Sequence, residues 1–247
     1  PLGKKGNKFR FIKPESPWMY MNHSCDPNTW WLDDETMVAR YDIQPGDEVI
    51  MPSFSFMATA TSVLSANAVP IFVDVEDETF CIDPDLIEAA ITPKTKAIMP
   101  VHLLGNPCDM RTIKNFANNY GLHIIEDACE SHGADIGGIR TGAFGDLSTF
   151  SFFFSHHIST IEGGMVCTDD DELAEMCRSM RAFGWVRELK NRNKIAAKYS
   201  DIDSNFLFLH SGFNFRPTEI QGAFGMHQLP RLEGFVDIRR DNAARIH

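Results

Sequence analysis

From residue 47 onward, short apolar runs alternate with amphipathic segments of helix length, and this alternation limits the chain to few folds. Val49-Ile50-Met51, Pro70–Val75, Ala97–Val101, His123–Glu126, Leu147–Phe153 and Gly164–Thr168 read as strands. Between them, Phe56–Ala66, Pro84–Ile91, Met110–Tyr120 and Asp171–Arg181 read as helices. Their ends carry the expected chemistry. Asp83 is placed to cap Pro84–Ile91, and Gly121 closes Met110–Tyr120. Asp171–Arg181 begins with acids and ends on Arg, which suits the helix dipole. Pro217 is expected at the first position of another helix, with a further helix running towards the C-terminus. Strand-helix alternation predicts an α/β fold, a mostly parallel sheet covered by helices.

Composition narrows the class. The chain has 247 residues, of which 43% are hydrophobic and 23% charged. That usage suits a globular chain and argues against disorder or a fibrous repeat. No apolar run reaches the ~18 residues of a membrane span. The formal net charge is -11, so nucleic acid is not an expected partner, and solubility is the simplest role of that charge. The six cysteines, Cys25, Cys81, Cys108, Cys129, Cys167 and Cys177, include no C-x2-C pair. They read as buried free thiols, in keeping with a reducing cytoplasm. No apolar stretch follows the basic residues near the N-terminus, so no signal peptide is expected.

Two strand ends carry unusual chemistry. Ligands of α/β sheets gather at the carboxyl ends of strands. The run Ile124-Ile125-Glu126-Asp127-Ala128-Cys129-Glu130-Ser131-His132 delivers Asp127 to such an end. Alone, it reads first as an acidic loop, but a carboxylate there can also keep a heteroaromatic ring nitrogen protonated. The run Ser151-Phe152-Phe153-Phe154-Ser155-His156-His157 follows another strand. Adjacent histidines do not share a face, so no metal site is expected. A lone His is commonly structural, and it is also the natural general base near neutral pH.

With Gly46–Phe56, Leu104-Gly105-Asn106-Pro107 and Gly212–Glu219, these segments resemble the DegT-type sugar aminotransferases in order and spacing. These are fold-type I pyridoxal-phosphate (PLP) enzymes. The resemblance implies a large cofactor-binding domain over residues 47–247, incomplete at both ends. Where the aminotransferases have a Lys in covalent imine linkage to the cofactor, this chain has His156, and no Lys occurs between Arg140 and Arg187. The segment Ser155-His156-His157-Ile158-Ser159-Thr160-Ile161-Glu162-Gly163-Gly164 resembles the nucleotide-sugar 3-dehydrase branch instead. That branch implies pyridoxamine 5'-phosphate (PMP) or PLP as cofactor, a nucleotide 4-keto-6-deoxy sugar as substrate and glutamate as amino donor. His156 is then the catalytic base for the C4′ proton of the cofactor. Asp127 pairs with the ring nitrogen, Phe56 stacks on the ring and Ser151 contacts the phosphate. Glu130 joins the site, in place of a Gln common in the aminotransferases. Asn214 reaches the phosphate of a neighbouring subunit in a homodimer with shared active sites. His157 is expected to be structural, and without the resemblance Phe56 reads equally as a core aromatic.

Residues 1–46 differ from the rest. They show little periodicity, and Asn22-His23-Ser24-Cys25-Asp26-Pro27-Asn28 with Ala39–Glu48 resembles the end of a SET-type lysine methyltransferase. There, Asn22 and His23 would lie by S-adenosylmethionine. The tyrosine expected after the turn is missing, since the chain reads Val49-Ile50-Met51-Pro52, so methyl transfer is not expected. A junction of two unrelated patterns is expected near Gly46-Asp47-Glu48. The Pro1 start and the helical run into His247 read as a piece of a longer protein.

Overall fold

The computed structural model describes residues 29–31, 37–39, 46–210 and 212–246. Cys25 and the SET-like motif at residues 22–28 lie outside the described residues. The described residues divide into two compact units: 29–31, 37–39, 46, 61–68, 170–210 and 212–216 belong to one, and 47–60, 69–169 and 217–246 to the other.

The second unit holds a six-stranded sheet. Its strands are β3 (Glu48–Pro52), β4 (Val69–Val73), β5 (Thr95–Ile98), β6 (His123–Asp127), β9 (Leu147–Ser151) and β10 (Gly164–Cys167). Their order is β10-β9-β6-β5-β3-β4, and every pairing is parallel except β9 with β10. β4 lies to one side of β3 and β5 to the other, so the order reverses there and opens a crevice at the carboxyl ends. Helices α2 (Pro84–Ala90) and α3 (Met110–Tyr120) supply the crossovers. Asp83 accepts a hydrogen bond from Asp85 N, and Asp109 accepts from the amides of Arg111 and Thr112. Gly121 ends α3 at φ 64°. Ile50, Val73, Ile82, Ile87, Ile98, Met110, Ile113 and Ile124 pack into one core between sheet and helices.

β5 stops short of the predicted Val101. Pro100 has no N–H to donate, and Val101 rejoins the sheet only as a single parallel bridge to Asp127. The sequence reading also missed a small hairpin, β7 (Asp135–Ile136) with β8 (Ile139–Arg140). α6 (Glu219–Gln228) begins two residues after Pro217. Thr218 is its cap, in a reciprocal capping box with Gln221, so a side-chain acceptor sets the boundary rather than the proline ring. α7 (Leu232–Ile246) follows.

The other unit contains α4 (Asp171–Met180), capped by Asp170, and a short α5 (Arg192–Ala196). Two bridges, Ala182 with Asn214 and Trp185 with Phe208, draw the following segments together. Gly184, at φ +83°, sits where a Cβ would lie 1.9 Å from the His210 carbonyl oxygen, so no other residue fits that crossing. The unit also includes the antiparallel pair β1 (Thr29–Trp31) and β2 (Met37–Ala39), which the sequence reading did not anticipate as a pair. α1 (Met57–Ser65) runs across the division between the units. Among the described residues, no helix is long and apolar enough to cross a membrane. Cys81 and Cys108 are buried free thiols, whereas Cys129, Cys167 and Cys177 are only half-buried, which corrects the expectation for those three.

Candidate active site

Asp127 is the last residue of β6, with parallel neighbours on both sides. One carboxylate oxygen accepts from the buried Thr59 hydroxyl at 2.9 Å, and the other from Cys129 N at 3.2 Å. Thr59 is itself hydrogen-bonded to Ser55 at 2.8 Å. Its amide donates to the Phe56 carbonyl at 3.1 Å, so one turn at the start of α1 links Phe56 to Asp127. The Phe56 side chain is 78% exposed. Phe56 is therefore not a core aromatic among the described residues.

β9 ends on Ser151, whose hydroxyl accepts from Phe153 N at 3.3 Å. His156 follows in a tight turn, with its amide donating to the Phe153 carbonyl at 3.1 Å. β6 and β9 are adjacent parallel strands, with Asp127 opposite Thr149, so Asp127 and Ser151 lie at the same carboxyl end of the sheet, and His156 follows in the turn after β9. Glu130 lies just after β6 and accepts from Leu104 N at 2.7 Å. That bond holds Leu104 at φ 53°, in the left-handed region. Asn214 belongs to the other unit, where its side-chain oxygen accepts from Arg216 Nε at 3.3 Å. Among the described residues, no group of three or more His, Cys, Asp or Glu is placed to hold a metal ion.

A second network, missed by the sequence reading, supports the edge from beneath. Glu126 points to the opposite face from Asp127 and is fully buried. It accepts from the amides of Gly142, Phe144 and Gly145 at 2.7–2.8 Å and from His102 Nε2 at 3.0 Å. His102 Nδ1 accepts from Cys108 N at 3.2 Å, so the Nε2 carries the proton. Burial pushes the Glu126 carboxyl up, but His102 and the three amides outweigh it and hold it below the usual carboxylate range. The strand alternation of Glu126 and Asp127 was the signal available in the sequence. The role of Thr59 had none, because its partner lies far along the chain.

The donor set suits a phosphorylated pyridine cofactor. Asp127 has lone pairs left for a ring N–H, Phe56 offers an open face and Ser151 a hydroxyl at the neighbouring strand end.

Known proteins resemble this chain in sequence and fold. The GDP-4-keto-6-deoxy-D-mannose 3-dehydratase of Yersinia pseudotuberculosis is 44% identical over 200 residues, 80% of this chain and 51% of its own length. The GDP-perosamine synthase of Caulobacter vibrioides is also 44% identical, over 197 residues, 80% of this chain and 49% of its own. The solved Escherichia coli GDP-4-keto-6-deoxy-D-mannose-3-dehydratase with bound hydrated PLP aligns with a TM-score of 0.76 at 38% identity, covering 81% of this chain and 52% of that one. The chain thus spans about half the length of the relatives it matches. The sheet is that of the large domain of fold-type I PLP-dependent enzymes. Residues 35–247 match the DegT/DnrJ/EryC1/StrS aminotransferase family, and the chain belongs to it.

Proposed function

We propose that the protein from which this chain derives removes the C3 hydroxyl of a nucleotide-linked 4-keto-6-deoxy sugar, using PMP, in deoxysugar biosynthesis. Overall identity does not separate a dehydratase from a synthase, since one relative of each kind is 44% identical. The observation that carries the choice is His156. It lies in the turn after β9, at the position that by resemblance corresponds to the cofactor-linked Lys of the family's aminotransferases, and no Lys occurs between Arg140 and Arg187. Imidazole forms no stable imine, so the cofactor is free to leave and return as the amine.

When bound, PMP supplies an amine that condenses with the C4 ketone and a ring that takes up electrons as the C3 hydroxyl departs. Asp127, fixed by Thr59 and the Cys129 amide, accepts the ring N–H and keeps that nitrogen protonated. Phe56 covers one face of the ring. The Ser151 hydroxyl and, from the other protomer of a homodimer, Asn214 hold the phosphate. Glu130 orders the Leu103-Leu104-Gly105 turn at the rim. His156 holds the moving proton: its free ring nitrogen is the base, and once protonated it donates to the departing C3 oxygen. Glutamate restores the amine. Residues 1–46 are read as a SET-like fragment joined near Gly46, although the family match already begins at residue 35.

The test is incubation with GDP- and CDP-linked 4-keto-6-deoxyhexoses, PMP and glutamate. Release of ammonia with a 3-deoxy sugar supports the proposal, and a 4-amino sugar without ammonia refutes it.

A further inference from the structure

The proposed chemistry leaves two buried thiols unused. Cys81 lies in the segment between β4 and α2, and Cys108 between the Leu103-Leu104-Gly105 turn and α3. Each is 1% exposed, and both belong to the core between sheet and helices. A buried cysteine commonly serves only as a small apolar filler. This pair is held by polar contacts that tie the two segments together. Asn106 Nδ2 donates to the Thr79 carbonyl at 3.3 Å, and the Cys81 thiol donates to the Asn106 carbonyl at 3.2 Å. Cys81 N donates to the Thr79 hydroxyl at 3.2 Å. The Cys108 thiol donates to the Val101 carbonyl at 3.1 Å, and its amide to His102 Nδ1. Across this join the two thiols are close enough to hydrogen-bond to each other.

The pair is also asymmetric. The hydrogen bond from Cys108 outweighs burial and pulls the Cys81 thiol down to about 7, despite the nearby Glu76 carboxylate. The same bond, then burial, push the Cys108 thiol up. Near neutral pH one sulfur is therefore available as a thiolate while the other keeps its proton. That is the division between an attacking and a resolving cysteine.

We propose that Cys81 and Cys108 are a redox-active pair that hydrogen peroxide converts to an intramolecular disulfide, joining the segment before α2 to the segment before α3. The Cys81 thiolate attacks one peroxide oxygen and the O–O bond breaks. Cys81 becomes a sulfenic acid, and the departing hydroxide takes up the proton the thiol had lost. The Cys108 sulfur then attacks the Cys81 sulfur, the S–O bond breaks, and a second water leaves with the Cys108 proton. The two thiols lose two electrons in all, and the peroxide gains them as two waters. Burial favours a small oxidant and keeps thiols from solution away from Cys81, which leaves Cys108 as its partner. Val101, whose carbonyl loses the Cys108 donor, forms the bridge to Asp127, so the new bond lies against the carboxyl end of β6.

The reaction needs neither cofactor nor sugar, so failure of dehydration activity would leave it standing. The test is non-reducing peptide mass mapping of the folded full chain after peroxide treatment and alkylation of the remaining thiols. A linked pair of peptides bearing Cys81 and Cys108, lighter by two hydrogens, is expected, and dithiothreitol should return both thiols. In Cys108→Ser the linked pair should vanish, and dimedone should label Cys81 as a sulfenic acid. Cys81 and Cys108 left as thiols at a dose that oxidises Cys129, Cys167 or Cys177 would overturn the proposal. A bond from either to another cysteine, a Cys81–Cys108 bond that forms as readily in urea-unfolded protein, or a folded Cys108→Ser without the Cys81 label would do the same. If Cys108→Ser does not fold, the map of the unsubstituted chain decides.

Discussion

Asp127 and Glu126 are neighbours in sequence with opposite tasks. Strand alternation sends Asp127 to the crevice and Glu126 into the sheet's supporting layer. Replacing Glu126 with Gln removes a carboxylate that satisfies three amides and His102, and should cost about 3 kcal/mol of stability, read from urea unfolding. Thr59→Val removes one hydroxyl donor from Asp127. The fold should survive, while affinity for PMP falls roughly tenfold by fluorescence titration, in line with a bond to a charged group. Acid should weaken the second unit in a defined window. His132 and His157 are lowered from the usual 6.5 to about 4, the first by burial and its neighbouring histidines, the second by burial, Arg239 and His156. Between those pH values the unfolded chain binds more protons, so stability is complete above about 6.5 and declines towards 4. Glu126, also lowered, adds a loss at still lower pH. Urea midpoints measured from pH 7.5 to 4.5 check this, and His132→Phe should flatten the slope.

Elements were legible where one local signal decided them. Asp83, Gly121 and the apolar runs of β3, β6 and β9 needed no tertiary information. β5 was overextended because apolar continuity through Met99 and Val101 hid the donor missing at Pro100. Pro217 was misplaced because a proline and a capping Thr compete for the same boundary, and the reciprocal Thr218–Gln221 bonds won. The β7–β8 hairpin has only two residues per strand, too few for a period to show. Caps also give the clearest element-scale prediction. Asp109→Ala should lower stability by about 1 kcal/mol, with Asn retaining most of it, since the side chain serves two amides at the start of α3. In the other unit, Gly184→Ala should speed amide exchange of Phe183, Trp185 and Val186, because the crossing with His210 must open to admit a Cβ.

At the scale of the molecule, the site draws on the carboxyl ends of β3, β5, β6 and β9, which come from a long stretch of chain and converge only because the sheet is parallel. Asp127 and His156 drew attention because each follows an apolar run, whereas roles for Phe56, Glu130 and Ser151 came only with the family resemblance. Thr59 escaped because its partner, Asp127, is brought to it by the fold. The chain spans about half of its relatives, so the catalytic reading concerns the whole protein and the cofactor chemistry can be tested on this part. Covalency is the most direct test of His156. The protein is mixed with PLP, reduced with borohydride and mapped by peptide mass. The account predicts no pyridoxyl adduct between Arg140 and Arg187 in the unsubstituted chain, and an adduct at position 156 in His156→Lys. An adduct within that segment of the unsubstituted chain, or none at 156 in a cofactor-loaded His156→Lys, would contradict it.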